Sequence, residues 1–178
     1  LWLQGASCSG CSMNFMCTKK PNIIELQERY DIEFVFHPSI TPLSGKEVEE
    51  LLQLYTKEPI DLLIVEGGVM TGPDNTGRYH HYAGKPFMEW ITRLSETAKY
   101  IIAVGSCSAF GGIPVISPNI NDVKGLQFVM RKPGGFLGEQ YKSRSGFPVI
   151  NIPGCPAHWM NVITVLIDIS LGRLNLDD

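Results

Sequence analysis

The sequence has no excess of basic residues, no long apolar run and too few cysteines for a disulfide framework. Its 15 Lys and Arg against 18 Asp and Glu give a net charge of −3. The chain therefore lacks the excess of basic residues that is typical of proteins that bind nucleic acid. No run approaches the roughly 18 apolar residues of a membrane span, and no basic signal-peptide stretch opens the chain. The five cysteines, an odd number, do not suit paired disulfides. We therefore expect the cytoplasm or the cytoplasmic face of a membrane, with at most indirect membrane association.

What the chain does contain is an alternation of apolar, β-branched runs with segments of helical periodicity. Continuous apolar runs indicate strands that are covered on both faces. The order predicts an α/β fold with a doubly wound parallel sheet, flavodoxin-like, as one domain over residues 1–178. Two segments rich in Gly and Pro, 67–85 and 105–146, interrupt it and are expected to be functional loops. The predicted strands are 1–5, 32–37, 61–67, 100–105 and 147–154, and the predicted helices are about 13–29, 46–55, 86–98 and 157–171.

Four of the five cysteines follow predicted strands directly. Cys8 and Cys11 come after the first strand, in "CSGC". Cys107 lies in "GSCSAFGG" after the fourth strand, and Cys155 lies in "PGCPAH" after the fifth. Because parallel strands end at one edge of a sheet, where open α/β folds bind ligands, we expect these four thiols to meet there. Cys17 has no partner at ligand spacing and is interpreted as a packing residue.

Four converging thiolates suit either zinc or an iron–sulfur cluster. Structural zinc sites with four cysteines usually contain two C-x2-C pairs, whereas this chain has one pair and two single cysteines in Gly- and Pro-rich turns. The Cys-Pro step at Cys155 also occurs in bacterial ferredoxin signatures. The pattern therefore favours an iron–sulfur cluster. A thioredoxin-like redox pair at "CSGC" and a flavin-binding module are the alternatives from other classes.

With these motifs together, the sequence resembles the small subunit of nickel–iron hydrogenases, specifically its N-terminal flavodoxin-like domain. Short stretches, "HPS", "GLQF" and "GGFLG", resemble most the uptake and hydrogen-sensing branch of that family. The motifs that carry the resemblance are "CSGCSMNF" (8–15), "VEGGVMTGPDNTGR" (65–78), "AVGSCSAFGGIP" (103–114) and "GFPVINIPGCPAH" (146–158).

The resemblance implies that the chain has no catalytic residue of its own, because the nickel–iron centre belongs to a partner large subunit. It implies electron transfer in a hydrogen:acceptor oxidoreductase, a hetero-oligomer that passes electrons from hydrogen oxidation to a further acceptor protein. The alternatives within this class are a hydrogen-sensing regulatory subunit and a cluster-bearing subunit of a complex I-like oxidoreductase, whose adjacent Cys-Cys pair is absent here. The implied ligands of one proximal 4Fe-4S cluster are Cys8, Cys11, Cys107 and Cys155.

The chain also departs from the family. Gly10 and Gly112 stand where some oxygen-tolerant members carry additional cysteines, so an ordinary 4Fe-4S cubane is expected. Many periplasmic members have an acid immediately before the first ligand, where this chain has Ser7. The usual C-terminal domain with further clusters is not in this sequence, since no cysteine follows Cys155 before Asp178. Two explanations stay open: a branch with a single cluster, or a remainder that was cleaved, disordered or left out.

Other residues near the predicted strand ends have two interpretations each. Glu66 either hydrogen-bonds to backbone near the cluster or caps the Gly67-Gly68 turn, and His158 either donates to a cluster sulfur or simply begins a helix. His80 and His81 are expected at a surface or interface. The loops at this edge also carry apolar residues that we predict to cover an interface with the large subunit: Phe15, Met16, Met70, Tyr79, Tyr82, Phe110, Ile113 and Trp159.

Overall fold

The computed structural model describes residues 1–175 of the chain. Within them, helices and strands alternate along most of the sequence, and a short 3₁₀ turn covers Ile113–Val115. In chain order the elements are β1 (Trp2–Gln4), α1 (Gly10–Met16), α2 (Ile23–Tyr30), α3 (Lys46–Tyr55), β2 (Ile60–Glu66), β3 (Val69–Met70), β4 (His81–Tyr82), β5 (Lys85–Pro86), α4 (Phe87–Thr97), β6 (Ala98–Val104), α5 (Gly105–Phe110), β7 (Val123–Lys124), β8 (Phe128–Val129), β9 (Lys132–Pro133), β10 (Ile150–Ile152) and α6 (Trp159–Ser170).

Four strands form a central sheet that is parallel throughout and has the order β1-β2-β6-β10. At its carboxyl edge, Gln4 of β1 lies beside Glu66 of β2, and Glu66 lies beside Val104 of β6. Val104 in turn lies beside Ile152 of β10. The four strands therefore end at one level. The segments that carry four of the five cysteines all leave the sheet from this edge.

Successive strand residues point to opposite faces of the sheet. Both faces therefore carry apolar residues, and helices cover both of them. Leu3 and Val65 belong to a core that includes apolar residues of α3 and α4. Trp2 and Ile64 belong to a second core, which includes apolar residues of α1, α2 and α6. The prediction of a doubly wound, flavodoxin-like α/β fold is confirmed.

The strand predicted over residues 32–37 is wrong. That segment has no regular strand structure, although the N–H of Trp2 donates to the carbonyl of Phe36 at 2.8 Å, beside β1. Ile32 and Phe36 are buried, whereas Val35 is exposed. The apolar run therefore indicates that these residues are buried at the edge of the sheet. An irregular segment can be buried in this way without forming a ladder of backbone hydrogen bonds.

The helix predicted over residues 13–29 is two helices, α1 and α2, separated by a turn that contains Pro21. Proline has no N–H and interrupts a helix interior. Asn22 and Glu25 then form a capping box, in which each side chain accepts a hydrogen bond from the other residue's N–H, at 2.9 and 3.0 Å. The helices predicted over 46–55, 86–98 and 157–171 correspond to α3, α4 and α6.

The two long segments after β2 and β6 carry short structure of their own. β3 and β7 pair antiparallel, so that the two segments are joined beside the carboxyl edge. The first part of the second segment is the helix α5 rather than the turn that the sequence predicted. No helix within residues 1–175 has the length and apolar character needed to cross a bilayer.

Candidate metal centre

Four cysteines line one small pocket at the carboxyl edge of the sheet: Cys8, Cys11, Cys107 and Cys155. All of them are free thiols, so no disulfide joins the "CSGC" pair or the two later cysteines. Cys17 does not line this pocket and is exposed at the C-terminal end of α1. The interpretation of Cys17 as a packing residue is therefore wrong, whereas the expected meeting of the other four thiols is observed.

The segments that carry Cys107 and Cys155 are joined by a reciprocal pair of hydrogen bonds. The N–H of Ser106 donates to the carbonyl of Gly154 at 2.8 Å. The N–H of Gly154 donates to the Ser106 hydroxyl oxygen at 3.1 Å. Each partner immediately precedes a cysteine in the chain, so this pair fixes the two single-cysteine segments relative to one another.

Glu66 supports the start of α1, the helix that carries Cys11. It is only 2% exposed, and its carboxylate accepts hydrogen bonds from the N–H groups of Cys11 and Ser12, each at 3.1 Å. The hydroxyl of Ser7 donates to it at 2.9 Å and the side-chain amide of Gln4 at 3.2 Å. An acceptor at a helix N-terminus satisfies otherwise unpaired N–H groups and is favoured by the helix dipole. The first of the two predicted roles, bonding to backbone near the cysteines, is the one observed.

A backbone N–H also points at a cysteine sulfur. The N–H of Ala157 donates to Cys11 Sγ at 3.4 Å. On α1, the side-chain amide of Asn14 donates to the carbonyl of the same Ala157 at 2.7 Å. The turn that contains Cys155 is therefore attached to α1 on one side, as it is attached to Ser106 on the other.

Glycines leave room for the sulfur atoms. A Cβ on Gly105 would lie 2.6 Å from Cys11 Sγ, and one on Gly112 would lie 2.5 Å from Cys107 Sγ. Both have positive φ angles, +86° and +59°, which residues with a side chain rarely adopt. These two positions therefore require glycine for two independent reasons.

Burial, and to a smaller extent neighbouring charges, raise the pKa of two of the thiols, Cys11 and Cys107. Burial raises the pKa of the Cys11 thiol to about 11; the Ala157 N–H lowers it, and the charges of Glu66, Cys107 and Cys8 raise it further. Burial likewise raises the pKa of the Cys107 thiol, with smaller raising effects from Cys155, Cys8 and Glu66. Forming thiolates at Cys11 and Cys107 is therefore unfavourable unless a positively charged inorganic group binds them and displaces their protons.

The chemistry of the four thiols bears on which inorganic group they could hold. Among residues 1–175, no three His, Cys, Asp or Glu side chains are placed to hold a metal ion together. A structural zinc requires four ligands within about 2.3 Å of one atom. A 4Fe-4S cluster is larger and takes one thiolate at each iron, so it accommodates four sulfurs around a shared pocket. A donor set of four cysteines around one pocket suits a 4Fe-4S cluster.

Within the described part of the chain, the histidines do not form a second metal-binding site. His158 is exposed, and its Nδ1 accepts a hydrogen bond from the N–H of Met160 at 3.2 Å, so it caps α6. The helix-start interpretation is thus the one observed. His80 is half-buried and stacks on Phe87 with ring centroids 4.9 Å apart, and burial lowers its pKa. His81 is exposed, as expected for a surface residue.

The eight apolar residues predicted to form an interface divide into three groups by their exposure. Phe15 is fully buried in the core and is unavailable to a partner, so that assignment is wrong. Tyr79 and Ile113 are strongly exposed, and Ile113 reaches 73%. The remaining five are half-buried. Ile116 and Ile120, which no sequence pattern singled out, are also exposed in the segment that follows α5.

Comparison with known proteins places the chain in a family. The family model of the NADH ubiquinone oxidoreductase, 20 Kd subunit, matches residues 8–169. The F420 non-reducing hydrogenase II small subunit of Methanosarcina mazei is 30% identical over 193 residues, which cover 100% of this chain and 50% of that protein. The periplasmic NiFe hydrogenase small subunit of Solidesulfovibrio fructosivorans is 30% identical over 180 residues, covering 100% and 52%.

A solved structure agrees with these relatives. The recombinant NiFeSe hydrogenase from Desulfovibrio vulgaris Hildenborough matches with a TM-score of 0.76 and 27% identity, over 93% of this chain and 56% of that chain. The chain spans about half the length of the curated relatives it matches. The family match covers all four pocket cysteines. The chain belongs to the family of the NADH ubiquinone oxidoreductase 20 Kd subunit, and within it the chain is similar to the small subunits of nickel–iron hydrogenases.

Proposed function

We propose that this chain is the electron-transfer small subunit of a nickel–iron hydrogenase, and that one proximal 4Fe-4S cluster binds at Cys8, Cys11, Cys107 and Cys155. The observation that carries the proposal is the meeting of four free thiols, distant in sequence, in one pocket. The similarity to hydrogenase small subunits along the whole chain supports it. The nickel–iron centre then belongs to a large subunit, where hydrogen is oxidised.

When bound, the cluster would accept and release one electron at a time. The chain's own residues would hold it and shield it. Glu66 fixes the start of α1 and hence Cys11. Ser106 and Gly154 fix the segments of Cys107 and Cys155 relative to one another. Cys11 is buried against the protein while Cys8 and Cys155 are exposed, so this site is shielded on one side and open on the other.

We propose that the large subunit covers this open side. Exposed apolar residues occur in the segment after α5, at Ile113, Ile116 and Ile120. The N–H of Ile113 itself hydrogen-bonds to Cys107. Contiguous exposed apolar surface on a protein commonly marks a binding interface. Covering it would exclude water from the cluster and shorten the distance to the electron donor.

Replacing Ile113 by aspartate is expected to weaken association with the large subunit by about 100-fold, because a buried, unpaired charge at an interface centre costs several kcal/mol. Co-purification of the tagged chain with its partner measures this. Ile24→Asp, at a site on α2 that is 66% exposed, is the matched control and should not affect co-purification. Equal recovery of partner with both variants would contradict the proposed interface.

Replacing Gly105 by alanine is expected to reduce cluster content at least tenfold, because the new Cβ would lie 2.6 Å from Cys11 Sγ. Gly134→Ala is the matched control. Gly134 also has a positive φ, +95°, but no atom lies within 4 Å of its Cβ position, so this variant suffers backbone strain alone. Iron and sulfide analysis of both proteins separates the two effects. Equal losses would mean that strain, and not space for the sulfur, is what Gly105 provides.

The description of the matching family favours a second candidate, a cluster-bearing subunit of a complex I-like oxidoreductase. Both candidates use the same cysteine pocket and differ in the partner. The experiment is to purify the full-length protein from its native cells with its partners and to determine metals. At least four irons and four sulfides per chain, with nickel in a partner and hydrogen-dependent reduction of a dye, is the expected result. Iron and sulfide without nickel would favour the second candidate, and neither iron nor sulfide would contradict both.

We further propose a location in the cytoplasm or at the cytoplasmic face of a membrane, and a further electron-acceptor protein. Cys17, a free thiol outside the cysteine pocket, is compatible with a reducing location. Fractionation of native cells with an antibody to the chain tests the location.

A further inference from the structure

Asn14 hydrogen-bonds to the residue whose backbone N–H contacts the sulfur of Cys11. It lies on α1 three residues after Cys11, so both side chains are on the same side of the helix. Its side-chain amide donates to the carbonyl of Ala157 at 2.7 Å, and the N–H of Ala157 donates to Cys11 Sγ at 3.4 Å. Ala157 is thus linked twice to α1, once through the asparagine and once through the cysteine.

Ala157 also belongs to the turn that carries Cys155. Gly154 and Ala157 form an isolated antiparallel bridge, which closes the turn around Cys155. Ala157 is 1% exposed, so its carbonyl has little access to water. Without Asn14, this carbonyl would lose a hydrogen bond in a nearly dry environment, and the turn would lose one of its attachments to α1.

We infer that Asn14 is a positioning residue, which holds Ala157 so that its N–H is directed at the sulfur of Cys11 and which thereby sets the potential and the retention of the cluster. The inference rests on the proposed function, because it assumes a cluster bound to Cys11. Hydrogen bonds from backbone N–H groups to cluster sulfurs favour the more negatively charged, reduced state. Partners that orient a ligand in this way typically change metal affinity by about 10- to 100-fold.

The two attachments of the Cys155 turn have different consequences. Ser106 fixes the turn through Gly154, on the side of Cys107, and its two hydrogen bonds involve no sulfur. Asn14 fixes the turn through Ala157, whose N–H does contact a sulfur. A change at Asn14 is therefore expected to alter the electronic properties of the cluster as well as its attachment, which a merely structural residue would not do.

The experiment compares the wild-type protein with Asn14→Leu, which removes the amide donor at similar volume, and with Asn161→Leu. Asn161 is exposed in the first turn of α6, four residues after Ala157, and provides the same substitution at a side chain that does not bond to the Ala157 carbonyl. In the full-length protein with its partner, Asn14→Leu is expected to lower the equilibrium constant for one-electron reduction of the cluster about tenfold, which corresponds to about 59 mV. Loss of iron to a chelator should be about tenfold faster. Asn161→Leu should match the wild type in both measurements.

A readout that needs no cluster separates this inference from the proposed function. Hydrogen–deuterium exchange of the peptide around Ala157 is measured in the full-length protein before and after removal of iron. We expect exchange at least tenfold faster in Asn14→Leu than in the wild type or Asn161→Leu. An unchanged potential in a cluster-containing Asn14→Leu protein, or unchanged exchange at Ala157, would overturn the role of Asn14. A wild-type protein without a cluster would overturn the proposed function, and the exchange data would still decide whether Asn14 positions Ala157.

Discussion

Cys107→Ala is expected to yield a protein without a complete 4Fe-4S cluster in this pocket, with loss of the iron, the sulfide and the visible absorption that this cluster contributes. The physical reason is that Cys107 is one of four thiols around the pocket, and one alanine leaves an iron without its protein ligand. Cys11→Ala and Cys155→Ala should have the same effect. Each loss should reduce hydrogen-dependent dye reduction by the purified complex to background. Iron and sulfide analysis together with the visible spectrum measures this.

Cys17→Ala is the matched control for these variants. Cys17 is also a free thiol, at the end of α1, but it is exposed and does not line the pocket. We expect this variant to retain full iron and sulfide content. The assignment fails if any of the three pocket variants keeps its complete cluster. It is also weakened if Cys17→Ala loses iron as they do, because the losses would then report misfolding.

Glu66→Ala is expected to lower the free energy of unfolding by about 3 kcal/mol and to reduce cluster content severely. The variant leaves the N–H groups of Cys11 and Ser12 and the hydroxyl of Ser7 without their acceptor. Buried donors that lose their partners cost roughly 1–3 kcal/mol each, and partial relaxation reduces the sum. Because these donors begin the helix that holds Cys11, the same change displaces a cluster ligand. Chemical denaturation of the full-length protein and iron analysis measure the two effects.

Two further variants make this test specific. Glu66→Gln retains one carboxamide oxygen as an acceptor and should be destabilised less than Glu66→Ala. Glu28→Ala removes an exposed glutamate from α2 and should change the unfolding free energy by less than about 0.5 kcal/mol. Equal stability of Glu66→Ala and Glu28→Ala would contradict the role of Glu66 as the acceptor at the start of α1.

Much of the fold could be predicted because burial has a clear signature in sequence. β2 and β6 are covered on both faces, and their continuous apolar runs identified them. The same signature misled over residues 32–37, where Phe36 is buried but the backbone makes only an irregular edge beside β1. A hydrophobic run predicts which residues are buried. It does not predict whether their backbone forms the hydrogen bonds of a β-sheet.

The four cysteines of the pocket could also be predicted, because each follows a parallel strand and such strands end together. The residues that hold these cysteines in place could not. Asn14 and Ser106 are ordinary polar residues in sequence, and their partners Ala157 and Gly154 are brought to them only by the tertiary fold. Glu66 was noticed from its position at a strand end, but its bonds to α1 depend on where that helix begins.

The measurement that tests the central claim most directly is diffraction from the purified complex at the iron absorption edge. We predict one compact group of about four irons within bonding distance of the Sγ atoms of Cys8, Cys11, Cys107 and Cys155. A single metal ion in the pocket, a disulfide between Cys107 and Cys155, or iron bound without one of these four sulfurs would contradict the account.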